Sequence, residues 1–283
     1  MKVYLVTPYG WCSGVKKSIS LAEKILQTKG EVYTLGALVH NPKVIEDLER
    51  KGIKIWNNKS IPEGKKLIVR AHGLPYKEVE KYKEYGNEIY DATCPLVKKV
   101  QKLAEFLKKN GYKVLIVGEK KHPEVIGIMS YAEEKGIVIE NINDAIMVES
   151  FPKIGIVIQT TQSWEEVEEI IKLILTKGKE IRIFNTICPE VEKRQEKAKI
   201  LSEMVELVLV LGGRNSANTR RLYNILVKSV PTYHIENLEE IDMEWFDNKQ
   251  KIGIITGTST PDAFVEEVLK LLETHHPLEI HLV

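Results

Sequence analysis

The sequence predicts an α/β fold built from three equivalent units with mostly parallel sheets, and three observations predict it. The chain of 283 residues contains three cysteines, Cys12, Cys94 and Cys188. Each is followed 24 residues on by a glycine (Gly36, Gly118, Gly212) and 28 residues on by a polar side chain (His40, His122, Ser216). Within each interval, apolar residues at helical spacing give way to a short run rich in Val, Ile and Leu. Each unit then continues into a second apolar run ending in polar residues: LIVRAHG at 67–73, IGIVIQTTQS at 154–163 and IGIITGTSTPD at 252–262. Helices alternating with such runs imply parallel sheets covered on both faces, because parallel pairing needs a crossover and the crossover helix hides the sheet.

The elements follow in order. The run VYLVTPYGW reads as a strand leading to Cys12, just as IYDAT leads to Cys94 and IRIFNT to Cys188. After Cys94, Val97, Val100, Leu103 and Leu107 mark one helix face, Asn110-Gly111 stops the helix, and KVLIVG is a buried strand. The stretches after Cys188 and Cys12 repeat that layout. The final run EIHLV precedes no cysteine, which suggests a cyclic arrangement in which the N-terminal strand joins the sheet of the last unit. The units are therefore 13–94, 95–188 and 189–283, the last completed by 1–12.

Composition narrows the function. With 43% hydrophobic and 29% charged residues the chain is a globular protein, and a net charge of +1 leaves no electrostatic footprint for nucleic acid. The longest apolar runs, Val114 to Val117 and Leu207 to Leu211, fall far short of the roughly 20 residues that span a bilayer. The N-terminus lacks a signal-type apolar region, so a cytoplasmic protein without membrane association is expected.

In a reducing compartment, three widely separated cysteines leave three readings: buried filler, reactive thiols or metal ligands. Equivalent placement in three units favours ligands. Cys₃-type zinc sites draw on closely spaced cysteines, whereas these lie 82 and 94 residues apart. An iron–sulfur cluster held by three thiolates would keep one iron open to act as a Lewis acid. Pro95 and Pro189 place two of the cysteines at helix starts, where the helix dipole favours the thiolate.

The six strand ends carry His40, His72, His122, Thr160, the Asn215-Ser216-Ala217-Asn218 loop and Ser259. Ligands of open α/β sheets bind outside the carboxyl ends of the strands, and these side chains can surround a phosphate or diphosphate with donors. Glu124, two residues after His122, is the carboxylate nearest those loops and a candidate proton donor, with Thr160 able to orient it. His234, His275, His276 and His281 lack the repeat's placement and read as structural or surface residues.

Taken in order, GWCSGV, LVHNP, VRAHG, DATCP, KHPEV, QTTQS, NSAN and TSTPD resemble the 4-hydroxy-3-methylbut-2-enyl diphosphate reductase family nearly end to end. The resemblance implies a trefoil of three α/β domains around a central [4Fe-4S] cluster held by Cys12, Cys94 and Cys188 with one open iron. It also implies a diphosphate site of His40, His72, His122, Ser216, Asn218 and Ser259, an acid at Glu124 and a cooperating Thr160. The implied reaction removes an allylic hydroxyl with two electrons from ferredoxin or flavodoxin and yields isopentenyl and dimethylallyl diphosphates.

Two departures bear on the site. Pro189 to Lys193 lacks the hydroxyl side chains usual after the third cysteine, and Ala217 stands where a serine is common, so only its backbone N–H can serve the substrate. A Lewis-acid enzyme of the quinolinate synthase type and a non-catalytic zinc module are the other readings of three cysteines.

Overall fold

The computed structural model describes residues 1–56 and 60–283. In chain order the elements are β1 (Lys2–Leu5), α1 (Ser13–Lys29), β2 (Tyr33–Thr34), α2 (Pro42–Arg50), β3 (Lys54–Ile55), β4 (Lys66–Val69), α3 (Tyr76–Glu84) and β5 (Glu88–Asp91). Then follow α4 (Pro95–Lys109), β6 (Lys113–Val117), α5 (Pro123–Tyr131), β7 (Ile137–Ile139), α6 (Ile142–Met147), β8 (Phe151–Ile158), α7 (Trp164–Ile174) and β9 (Gly178–Ile183). The last stretch holds α8 (Pro189–Met204), β10 (Leu207–Leu211), α9 (Ala217–Leu226), β11 (Thr232–Ile235), two 3₁₀ turns, β12 (Lys251–Thr256), α10 (Asp262–Glu273) and β13 (Glu279–Leu282).

These strands form three sheets, of order β3-β2-β4-β5, β7-β6-β8-β9 and β11-β10-β12-β1-β13. The strand pairs are parallel. One order recurs: the strand reached after the first helix lies second, its successor is the near edge, and the strand leading to a cysteine pairs with the third. In the five-stranded sheet that last place belongs to β1, with Val3 opposite Ile252 and Leu5 opposite Ile254. β1 thus stands beside β12, and EIHLV adds β13 on the outer side of β1. The sheet β3-β2-β4-β5 has the shortest strands, since EVYTLG pairs over Tyr33–Thr34 alone.

The chain divides into two compact units. The first comprises Met1–Val15, His40–Glu46 and Pro189–Val283, the second Lys16–Val39 and Asp47–Cys188. In the first unit, strand alternation separates two cores: Leu207, Leu209 and Leu211 pack with Phe264, Val265 and Val268 of α10, while Val208 and Val210 pack with Ala198 and Leu201 of α8 and Leu222 of α9. In the second unit, Leu115, Val117, Ile156 and Ile158 pack on Val167, Ile170 and Ile174 of α7. The opposite face of that sheet, Val114, Ile116 and Val157, meets Val100, Ala104 and Leu107 of α4 and Val125 and Ile128 of α5. Burial on both faces is what the continuous apolar strand runs encode. No helix among the described residues is long and apolar enough to cross a membrane.

Candidate active site

Each cysteine is anchored by the same hydrogen bond. The backbone N–H of Cys12 donates to the Thr258 carbonyl at 2.9 Å, that of Cys94 to Ala71 at 2.9 Å and that of Cys188 to Thr160 at 2.8 Å. Each acceptor lies just past the third strand of its sheet, so strand order fixes where each thiol emerges. All three cysteines are half-buried and free of disulfides. Cys94 is the residue before α4, with Pro95 at its first position, and Pro189 follows Cys188 at the start of α8. At the start of α1 the Cys12 sulfur accepts the Val15 N–H at 3.4 Å. Three cysteine sulfurs, each at a helix start, fit an iron–sulfur cluster's ligand set.

In the first unit the loop after β10 comes close to the backbone of His40. Gly212 takes φ +141°, and a Cβ on Gly213 would lie 2.7 Å from the His40 carbonyl oxygen, so only glycine admits this approach. The Ser259 hydroxyl donates to that same carbonyl at 3.3 Å. Ser216 caps α9 by accepting the Thr219 N–H, and Ala217 and Asn218 open the helix, both buried. The Asn218 side chain is 1% exposed, yet neither its oxygen nor its nitrogen has a hydrogen-bond partner among the described residues. Leaving both ends of a buried amide unpaired is costly, and a bound polar ligand would remove that cost. His40, Ser216, Asn218 and Ser259 thus gather at the sheet's carboxyl edge.

In the second unit His72, just past β4, stands edge-on to His122 with ring centroids 5.5 Å apart. His122 caps α5: its Nδ1 accepts the Glu124 N–H at 3.2 Å. That bond leaves the proton on Nε2 in the neutral ring, which turns His122 into a donor on its other side. Glu124, in the first turn of α5, is 1% exposed. Its Oε1 accepts the Thr160 N–H at 2.7 Å and its Oε2 the Thr160 hydroxyl at 2.8 Å. Burial pushes the Glu124 carboxyl up to about 7, against the pull of the two Thr160 hydrogen bonds and with added repulsion from Glu119. Thr160 also offers the carbonyl that anchors Cys188. One residue therefore ties a proton-holding acid to a thiol-bearing loop.

The departures noted in the sequence have structural answers. Glu190 turns to α1, accepting the Ser13 hydroxyl at 2.5 Å and its N–H at 3.2 Å. His234 is structural, its Nε2 donating to the Gly212 carbonyl at 2.9 Å, which steadies the glycine turn. Sequence reasoning missed Arg194. It is 1% exposed, and its guanidinium donates to Thr256 and to the Gly10 carbonyl. Its place six residues after Cys188 on a helix with apolar neighbours was the available signal.

The sequence profile of the LytB protein family matches residues 3–273. A "4-hydroxy-3-methylbut-2-enyl diphosphate reductase" from Dictyoglomus turgidum is 70% identical over 283 residues, covering all of both chains. One of the same name from Aquifex aeolicus is 42% identical over 264 residues, covering 92% of this chain and 91% of its own. Among solved structures, the E-1-hydroxy-2-methyl-but-2-enyl-4-diphosphate reductase from Plasmodium falciparum superposes with a TM-score of 0.93 at 29% identity, covering 99% of this chain and 92% of that one. A second, (E)-4-hydroxy-3-methyl-but-2-enyl diphosphate reductase, gives a TM-score of 0.71 at 40% identity and covers 96% and 99%. Sequence and backbone agree over essentially the whole length, and the chain belongs to the LytB protein family.

Proposed function

We propose that this chain reduces 4-hydroxy-3-methylbut-2-enyl diphosphate, taking up two electrons and two protons, releasing the allylic hydroxyl as water and giving isopentenyl and dimethylallyl diphosphates. Cys12, Cys94 and Cys188 are the ligands of a [4Fe-4S] cluster. Such a cluster, bound by three thiolates, supplies electrons and one iron free to act as a Lewis acid. The electrons come from a small redox protein of the ferredoxin or flavodoxin class.

The observation that carries this reading is the Glu124–Thr160 pair. A carboxyl titrating near 7 is about half protonated at neutral pH, where a general acid is most effective. Glu124 gives its proton to the departing hydroxyl oxygen. Thr160 holds both carboxyl oxygens, so the acid reaches the substrate in one orientation. His122 presents its Nε2–H to the diphosphate, and His40, His72, Ser216, Asn218, Ser259 and the Ala217 N–H complete the donor set. The unpaired Asn218 amide gains partners when the anion binds. Neutral donors of this kind hold a diphosphate without burying a lysine or arginine against it.

The test combines iron and turnover. Protein prepared anaerobically is expected to be brown, with iron and sulfide that are lost in Cys12→Ser, Cys94→Ser and Cys188→Ser alike. It should oxidise reduced viologen only with the allylic diphosphate, and Glu124→Gln should keep the colour while losing turnover by roughly 100-fold or more. Colourless protein containing zinc would establish a structural zinc module instead. Iron without reductant consumption would establish Lewis-acid chemistry.

A further inference from the structure

We propose that Ser18 and Arg194 are positioning residues, each strapping the backbone that leads to the next cysteine of the cycle. The inference rests on the reading of the cysteines as cluster ligands. Ser18 lies six residues after Cys12, and its hydroxyl donates at 2.7 Å to the carbonyl of Ala92, two residues before Cys94. Arg194 lies six residues after Cys188, and its Nη2 donates at 2.8 Å to the carbonyl of Gly10, two residues before Cys12. The helix following one cysteine thus grips the loop of the following one at the same register. Both contacts are buried.

The Arg194 strap is the stronger. Its Nη1 also donates to the Thr256 carbonyl at 2.8 Å and the Thr256 hydroxyl at 2.9 Å, while the Gly10 N–H donates to that hydroxyl at 3.1 Å. Gly10, Thr256 and the guanidinium form a closed set of bonds around a residue held at φ +79°. One turn on, Lys197 donates to the Thr7 carbonyl at 2.7 Å and the Val283 carbonyl at 2.9 Å, fixing the start of the same segment. The third register differs in chemistry. Six residues after Cys94 stands Val100, which is apolar, and the loop before Cys188 supplies its own hydroxyl: Thr186 donates to the Ile158 carbonyl and accepts the Ile158 N–H.

A thiol on a strapped loop samples few positions. It can enter a cluster without first losing loop entropy, and in the metal-free chain the half-buried sulfur meets a reagent in few orientations, which slows its labelling. The straps therefore predict a pattern specific to individual cysteines, unlike a general loss of stability. Full-length chain, freed of iron with a chelator, is treated with iodoacetamide, and labelling of each cysteine is followed by peptide mass spectrometry. Ser18→Ala should speed labelling of Cys94 about tenfold with Cys12 and Cys188 unchanged, and Arg194→Gln should do so for Cys12 alone. Arg194→Lys, which keeps a donor, should restore part of the protection, and Thr256→Val should reproduce the Cys12 effect if Arg194→Gln does not fold. Unchanged rates, or equal acceleration at all three cysteines, would overturn the proposal. Iron and sulfide content of the untreated chain judges the cluster reading separately, because the labelling pattern needs no metal.

Discussion

In the proposed function, Glu124 concentrates the chemistry of this chain in one titration. Its carboxyl is ordinary near 4.5 when solvated and sits at about 7 in the fold, so between those values the folded state holds a proton that the unfolded state has released. Stability therefore falls as pH rises through that window, by on the order of 3 kcal/mol in total. Glu124→Gln, which carries no charge, is expected to melt above the parent at pH 8, with the difference closing toward pH 5, in thermal melts across that range. Turnover should follow the acid form and decline above pH 7. Thr160→Val removes a hydroxyl that stabilises the carboxylate, so the alkaline limb of the pH–rate profile should move to higher pH. A limb that stays in place would detach Thr160 from the acid. Glutamate, threonine and their neighbours were legible in KHPEV and QTTQS, but the burial that shifts the titration was not.

At the scale of elements, the helix starts do two jobs. His122 spends Nδ1 on capping α5 and, in the proposed function, donates from Nε2 to the diphosphate. His122→Asn should retain the cap and most of the stability while raising KM, whereas His122→Ala should lose both, the cap costing about 1 kcal/mol. The strands carry a repeat that the sequence reading passed over. Gly155 on β8 faces Leu107 of α4, and Gly253 on β12 faces Leu201 of α8, each leucine 13 residues after its cysteine. A Cβ at Gly155 would come within 2.5 Å of Leu107, and one at Gly253 within 2.8 Å of Leu201. Gly155→Ala and Gly253→Ala should each destabilise by about 1–3 kcal/mol in denaturant titrations. A neutral outcome would mean the helices can retreat without loss.

For the molecule as a whole, one strand order is used three times, and every cysteine follows the fourth strand of that order. Since a ligand that binds only the folded chain stabilises it, removal of iron should lower the melting temperature of the parent. Cys94→Ser, unable to complete the ligand set, should melt at the same temperature with or without chelator. A parent indifferent to chelation would argue against a shared centre for the thiols. Val3 and Leu5, nearly fully buried, show how far apart in sequence the partners of one sheet lie, since they pair with Ile252 and Ile254.

The sequence by itself determined the periodic part of this protein. Cysteine spacing, strand-like runs and the polar residues that end them depend on local pattern, and patterns of period 2 and 3.6 survive in a linear string. That is why an α/β fold with three parallel sheets could be read in advance. Tertiary structure alone decided what depends on meetings between distant residues: the raised titration of Glu124, the orphaned amide of Asn218, and the burial of Arg194 against Gly10 and Thr256. Those properties arise from desolvation and from hydrogen bonds across up to 184 positions of chain, and no local pattern records which groups water has left.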